Sequence, residues 1–191
     1  MLRAATPPQY DPLDYDNLAQ NVVRASMEQP CQNLAPAPFE GVGVCALYCV
    51  GDLDFHEAIR GEDIPIYVGS AVLAGKRKGD KKAVAGRTLH NRLVQHTKSI
   101  QQAENLRLEN FRCRYLVVVP VWIELAERFL IEHYRPAWNT VIDGFGNHPP
   151  GAGRKDMKRP RWDILHPDRA RTKRLRSAET PAKIIAELKS S

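Results

Sequence analysis

The chain has 191 residues, 43% of them apolar, and its 28 Lys and Arg against 22 Asp and Glu give a formal charge of +6 and a pI near 9.3. That content can bury one sizeable core with terminal arms outside it, so a single globular domain is expected, and the surplus positive charge favours a polyanionic partner. No apolar run reaches the roughly 18 residues of a membrane span, and the opening MLRAATPPQYDP lacks an apolar signal core, which predicts a soluble, cytoplasmic protein.

Residues 1–40 form an N-terminal arm that is acidic in an otherwise basic chain, with Asp11, Asp14, Asp16, Glu28 and Glu40 against Arg3 and Arg24. Within it, Leu13 to Met27 reads as an amphipathic helix with Leu18, Val22 and Ala25 inward, and Asn33-Leu-Ala-Pro-Ala-Pro reads as a linker. The runs Gly41–Gly51 (GVGVCALYCVG) and Ile64–Gly69 (IPIYVG) are β-rich and bounded by glycine and acidic loop residues, so they are expected to pair as antiparallel strands. In the first, Val44, Ala46, Tyr48 and Val50 share a face; in the second, Tyr67 shares one with Pro65 and Gly69. Taken alone, each tyrosine is a sheet-packing residue more often than a reactive one. Cys31, Cys45, Cys49 and Cys113 show no CxxC spacing and are expected as buried reduced thiols, not as a zinc site or disulfides.

The stretch Ala74–Arg87 (AGKRKGDKKAVAGR) is a glycine-spaced basic loop. A solvated loop is its plain reading, but Lys76, Arg77, Lys78, Lys81, Lys82 and Arg87 also suit contacts to a phosphate backbone. From Arg87 to Ala103, Leu89, Leu93 and Ile100 make a helical stripe that contains His96, with Arg92 one turn earlier on the same side. A buried, hydrogen-bonded histidine accounts for His96 as well as a site histidine does. A third strand, Phe111–Val119, ends at Pro120.

In the following helix, Val121–Asn139, Glu127 falls on the line of Ile123, Leu130 and Tyr134 at about 100° per residue. An unpaired buried carboxylate costs several kcal/mol, so one in an apolar stripe implies a partner, a hydrogen bond or a cation. Arg135-Pro136 stops the helix, and Trp138-Asn139 follows. Beyond TVIDGFGNHPPGAGR, ten Lys or Arg residues between Arg154 and Arg176 meet only Asp156, Asp163 and Asp168. Trp162, Ile164 and Leu165 interrupt this run, so part of it is expected to dock on the core while Arg154, Arg169, Arg171, Lys173 and Arg174 face outward toward DNA. The division expected, within a single globular domain, is an arm over 1–40, a core over 41–150 and a basic extension over 151–191. The order β-β-α-β-α argues an α+β fold with a three-stranded antiparallel sheet flanked by helices.

Tyr48, Tyr67, Arg92, His96, Glu127 and Asn139 stand along this order in a way that resembles the GIY-YIG nuclease superfamily. Ala46–Tyr48 (ALY) stands for its first motif and Tyr67–Gly69 (YVG) for its second. RLVQH matches its Arg-x-x-x-His, Glu127 its metal-binding glutamate, and Asn139 the asparagine twelve residues on. WNTVIDGFGNHPPGAGR and WDILHP extend the likeness toward the superfamily's type II restriction endonucleases, which cut short G·C-rich palindromes. Two positions depart: Ala46 replaces the glycine of the first motif, and Ser70 stands where many members place lysine and some homing relatives place serine.

The resemblance implies Mg²⁺-dependent hydrolysis of duplex DNA by a homodimer, with one Mg²⁺ per site on Glu127, Mn²⁺ substituting, and no other cofactor. A hard cation on one carboxylate and several waters suits charge building on a phosphodiester. Arg92 would clamp the phosphate, Tyr48 would take a proton from the attacking water, Tyr67 and His96 would orient or relay, and Asn139 would hold the site by hydrogen bonds. Two other readings stand beside this: a repair or mobile-element nuclease that nicks one strand, and a DNA-binding module whose site has decayed.

Overall fold

The computed structural model describes residues 13–52, 61–72, 86–147, 158–172 and 175–190. Helix α1 (Tyr15–Met27) starts where the Asp14 carboxylate accepts the Asp16 N–H at 3.1 Å, and it carries Asp16 in its first turn and Arg24 in its last, as the helix dipole favours. Strands β1 (Gln32–Asn33), β2 (Gly43–Cys49), β3 (Tyr67–Ala71) and β4 (Phe111–Val117) form one antiparallel sheet in the order β1-β4-β2-β3. Helices α2 (Thr88–Gln101), α3 (Ile123–Tyr134) and α4 (Ala137–Thr140) follow in the core, and α5 (Arg161–Leu165) and α6 (Pro181–Lys189) follow in the C-terminal segment.

The sheet has four strands where three were expected. The added strand is the start of the expected linker: Gln32 and Asn33 pair with Cys113 and Arg112, and Leu34 is buried behind them. A two-residue strand has no periodicity to reveal it in a sequence.

All seven residues of β2 are buried, because helices cover both faces of this central strand. Val44, Ala46 and Tyr48 pack with Val68, Ile123, Ala126 and Leu130 on the α3 side. Cys45, Leu47 and Cys49 pack with Tyr67, Leu89, Leu93 and Ile100 on the α2 side. Gly43 is required by close approach to β4, since a Cβ there would lie 2.1 Å from the Leu116 carbonyl oxygen.

The C-terminal segment belongs to the same core as the sheet. Trp162, Leu165 and Ile184 lie in the cluster that holds Tyr67, Leu93 and Trp138, and the Trp162 ring meets Trp138 edge-on at 5.6 Å. Arg161 bridges to α6 with two 2.8 Å bonds to Glu179 and one of 2.7 Å to Glu187. Arg161, and then Lys183, hold the Glu179 carboxyl down to about 2. A depressed carboxylate stabilises the folded state above its unfolded pKa of about 4 and loses that contribution as pH falls through its folded value. We therefore expect the amides of α6 to lose hydrogen-exchange protection between about pH 4 and pH 2, before those of β2. Simultaneous loss in both elements would show that Arg161–Glu179 does not govern docking of α6.

Candidate active site

Arg92 and His96 come from one face of α2, four residues and about one helical turn apart. Tyr67 comes from the edge strand β3, and the register Leu47↔Tyr67 and Cys45↔Gly69 puts it on the α2 side of the sheet. Its ring runs back along the strand over Gly69, where a Cβ would stand 2.7 Å from the phenol oxygen; one on Gly146 would stand 2.2 Å from the same atom. These two glycines make the space for the ring. The Tyr67 ring meets His96 edge-on at 5.0 Å, and Phe145 closes the group, stacked on His96 at 4.8 Å and edge-on to Tyr67 at 4.9 Å. Burial pushes the Tyr67 phenol up to about 12 against the opposing pull of Arg92.

The Arg92 guanidinium donates through Nη2 to the Gly146 carbonyl at 2.8 Å. Its Nε is buried and has no hydrogen-bond partner among the described residues. A buried N–H left unpaired costs roughly 1–3 kcal/mol, so this one is a donor awaiting an acceptor.

Glu127 stands on the other face of the sheet. It is half-buried on α3, and Ser70 on β3 donates its hydroxyl to Oε2 at 2.7 Å. Its charge raises the Tyr67 phenol and the Cys45 thiol, the two groups that Arg92 lowers. Carboxylate and guanidinium thus act on one phenol from helices on opposite faces of the sheet. Ser70 occupies the place of the expected lysine with a neutral hydroxyl that fixes one carboxylate oxygen.

Asn139 on α4 pins the edge of β3. Its Oδ1 accepts the Val68 N–H at 2.8 Å, and its Nδ2 donates to the Val68 carbonyl at 2.8 Å, a side chain standing in for a neighbouring strand.

Tyr48, expected with this group, lies apart from it. It has no exposed surface and lies on the α3 face of β2, because side chains alternate along a strand and Tyr48 is out of phase with Leu47, the partner of Tyr67. The Arg114 guanidinium lies 4.9 Å from its ring centre, its hydroxyl approaches the Met27 sulfur at 4.0 Å, and burial pushes its phenol up to about 12. The β2 residue on the Tyr67 face is Cys45, paired with Gly69. It ends the run Gly43-Val44-Cys45, which directly precedes Ala46–Tyr48. Burial pushes the Cys45 thiol up to about 12 as well, so it is protonated at neutral pH. Tyr48→Phe is expected to retain DNA cleavage within a few-fold of the parent, whereas Tyr67→Phe is expected to lose about a hundredfold, the scale on which misplacing a reacting group costs rate. Single-turnover rates decide it, and a large loss in Tyr48→Phe would return that residue to the site.

Arg169 is corrected too. It is 1% exposed, its guanidinium is bound by both oxygens of Asp163, and it lies 4.2 Å over the Trp162 ring. A cation so buried and paired cannot reach a phosphate backbone. Arg87 is exposed at the start of α2. Lys76, Arg77, Lys78, Lys81, Lys82, Arg154, Lys173 and Arg174 lie outside the described residues, as does the side chain of Arg171.

The sequence profile of the Eco29kI GIY-YIG domain matches residues 37–190. The chain belongs to the Eco29kI GIY-YIG family. It is a nuclease domain of the restriction-endonuclease type, whose substrate is DNA. The match runs through α5 and α6, in keeping with their place in the common core. No curated protein matches the chain.

Proposed function

We infer that this member of the Eco29kI GIY-YIG family is a type II restriction endonuclease that hydrolyses both strands of duplex DNA at a short, G·C-rich palindrome, with Mg²⁺ and as a homodimer. The observation that carries this reading is that Arg92, whose buried Nε–H has no partner among the described residues, and the Glu127 carboxylate both act on the phenol of Tyr67. Two antiparallel strands cut by one such site per chain call for two protomers related by a two-fold axis, matching the symmetry of a palindrome.

The donor set suits Mg²⁺. No cluster of three or more His, Cys, Asp or Glu occurs among the described residues, and Glu127 Oε1 accepts no hydrogen bond among them. One half-exposed carboxylate with room for waters fits a hard cation that dehydrates reluctantly. Bound there, the cation would supply charge neutralisation at the phosphate and at the leaving 3′ oxygen.

The protein's own groups divide the remaining work. Arg92 binds a non-bridging phosphate oxygen through its fork of N–H donors. Tyr67, protonated at neutral pH, orients the attacking water through its hydroxyl, and His96, held flat by Phe145, keeps the Tyr67 ring in place. Asn139 fixes β3, and with it Tyr67 and Ser70, relative to α4.

A cysteine, and not a tyrosine, on the Tyr67 face of β2 favours one rival reading, a module that binds DNA without cutting it. Incubating the purified protein with plasmid and bacteriophage DNA in Mg²⁺ separates the cases. Discrete fragments are expected; nicked circles would indicate a single-strand nuclease, and binding without cleavage would establish the rival.

A further inference from the structure

The loop after α4 that covers the site is itself held by the C-terminal segment. Gly144 runs at φ +101° against Pro160, where a Cβ would lie 2.1 Å from the proline Cβ. Asp143 receives the start of α5, accepting the Trp162 N–H on its carbonyl at 2.9 Å and the Arg161 N–H on its carboxylate at 3.0 Å. Arg169 then donates to the next two carbonyls of the loop, Phe145 at 3.1 Å and Gly144 at 3.0 Å. Asp163 balances its charge, and Thr172 donates to Asp163 at 3.1 Å. A buried guanidinium with this many partners is a rigid clamp, because withdrawing any one of them strands the others in a low-dielectric interior.

What the clamp holds is catalytic geometry. Phe145, one of the two residues whose carbonyls it grips, stacks on His96 and abuts Tyr67. Gly146, the next residue, accepts from Arg92 and lies against the Tyr67 hydroxyl. The geometry points to Arg169 as a positioning residue for the active site: through the Gly144–Gly146 backbone it sets where Arg92 presents its free N–H and how His96 and Tyr67 are oriented. The consequence for catalysis rests on the nuclease reading above, whereas the mechanical tie does not. A displacement on the order of 1 Å in a reacting group can cost about a hundredfold in rate, so a clamp this far from the chemistry has leverage on it.

The test compares Arg169→Lys, which keeps the charge but loses the planar fork, with Phe145→Leu and with the double variant. Each single variant is expected to lower the single-turnover cleavage rate ten- to a hundredfold in protein that remains folded, with DNA affinity near that of the parent. The double variant should be no slower than the worse single one, since both break the same connection. Multiplicative losses, or a parental rate in folded Arg169→Lys, would overturn the proposal. Amide exchange reads the tie without any cleavage: protection of Phe145, Gly146 and Asn147 should fall in Arg169→Lys while that of β2 stays unchanged. Unaltered exchange there refutes the clamp, and weakened protection in a protein that cuts no DNA would uphold the clamp while refuting the nuclease reading. If Arg169→Lys fails to fold, Asp163→Leu with Arg169→Met, which replaces the buried pair with apolar groups, takes its place in both arms.

Discussion

Glu127→Ala is expected to abolish DNA cleavage and to leave DNA binding intact. The side chain is half-buried and accepts one hydrogen bond among the described residues, from Ser70, so its removal costs the fold only about 1 kcal/mol. The expected kinetic loss is far larger, at least about a thousandfold or roughly 4 kcal/mol of transition-state stabilisation, because the proposed cation would lose the one side-chain ligand assigned to it. Glu127→Gln separates this from a packing role. It keeps the shape and the hydrogen bond to Ser70 but removes the charge, and it should be as inactive as the alanine variant. The measurements are a cleavage time course across a Mg²⁺ titration and a gel-shift in Ca²⁺. Cleavage by Glu127→Gln within tenfold of the parent would remove the carboxylate from the chemistry.

Arg92→Ala is the second large effect. Its guanidinium does two things at once: Nη2 ties α2 to the loop at Gly146, and Nε presents an unpaired donor. A loss of roughly a hundred- to a thousandfold is expected in single-turnover rate, the range seen when a preorganised donor to a developing charge is removed. Arg92→Lys should recover little of it. A lysine carries the charge but cannot donate to Gly146 and to a phosphate oxygen in the fixed directions of a planar fork. Substantial recovery with lysine would mean that only the positive charge matters at this position, and that the unsatisfied Nε is incidental.

How far the sequence discloses this arrangement depends on whether a residue's environment is periodic. Glu127 stands out because a helix stripe has one apolar side, and an acid on that side breaks the pattern. Arg92 and His96 are recoverable for the same reason. Strand β2 gives no such contrast, since apolar residues line both of its faces, so nothing in GVGVCALYCVG marks which face carries the chemistry. Tyr48 therefore draws attention by residue type alone, while Cys45, the residue that faces Tyr67, looks like ordinary core. Arg169 fails differently. In the sequence it is one of ten cations in a charged run; the fold buries it because Asp163 on α5 lies close enough to take both ends of its fork. Composition reports how many charges a segment has, and only tertiary contact shows which of them are already neutralised.

The grip of Asn139 on Val68 bears on the protein's behaviour in solution as well as on its site. An open antiparallel sheet has two free borders, and unpaired backbone N–H and C=O groups along such a border can recruit a strand from another molecule. Here one border is β1, only two residues long, and the other is β3, whose outward-facing Val68 donor and acceptor are both taken by the Asn139 amide. The side chain that pins the strand bearing Tyr67 therefore also blocks strand exchange between chains. Substituting it would expose a ready template for intermolecular β-pairing, so insolubility is as direct an outcome of losing Asn139 as inactivity.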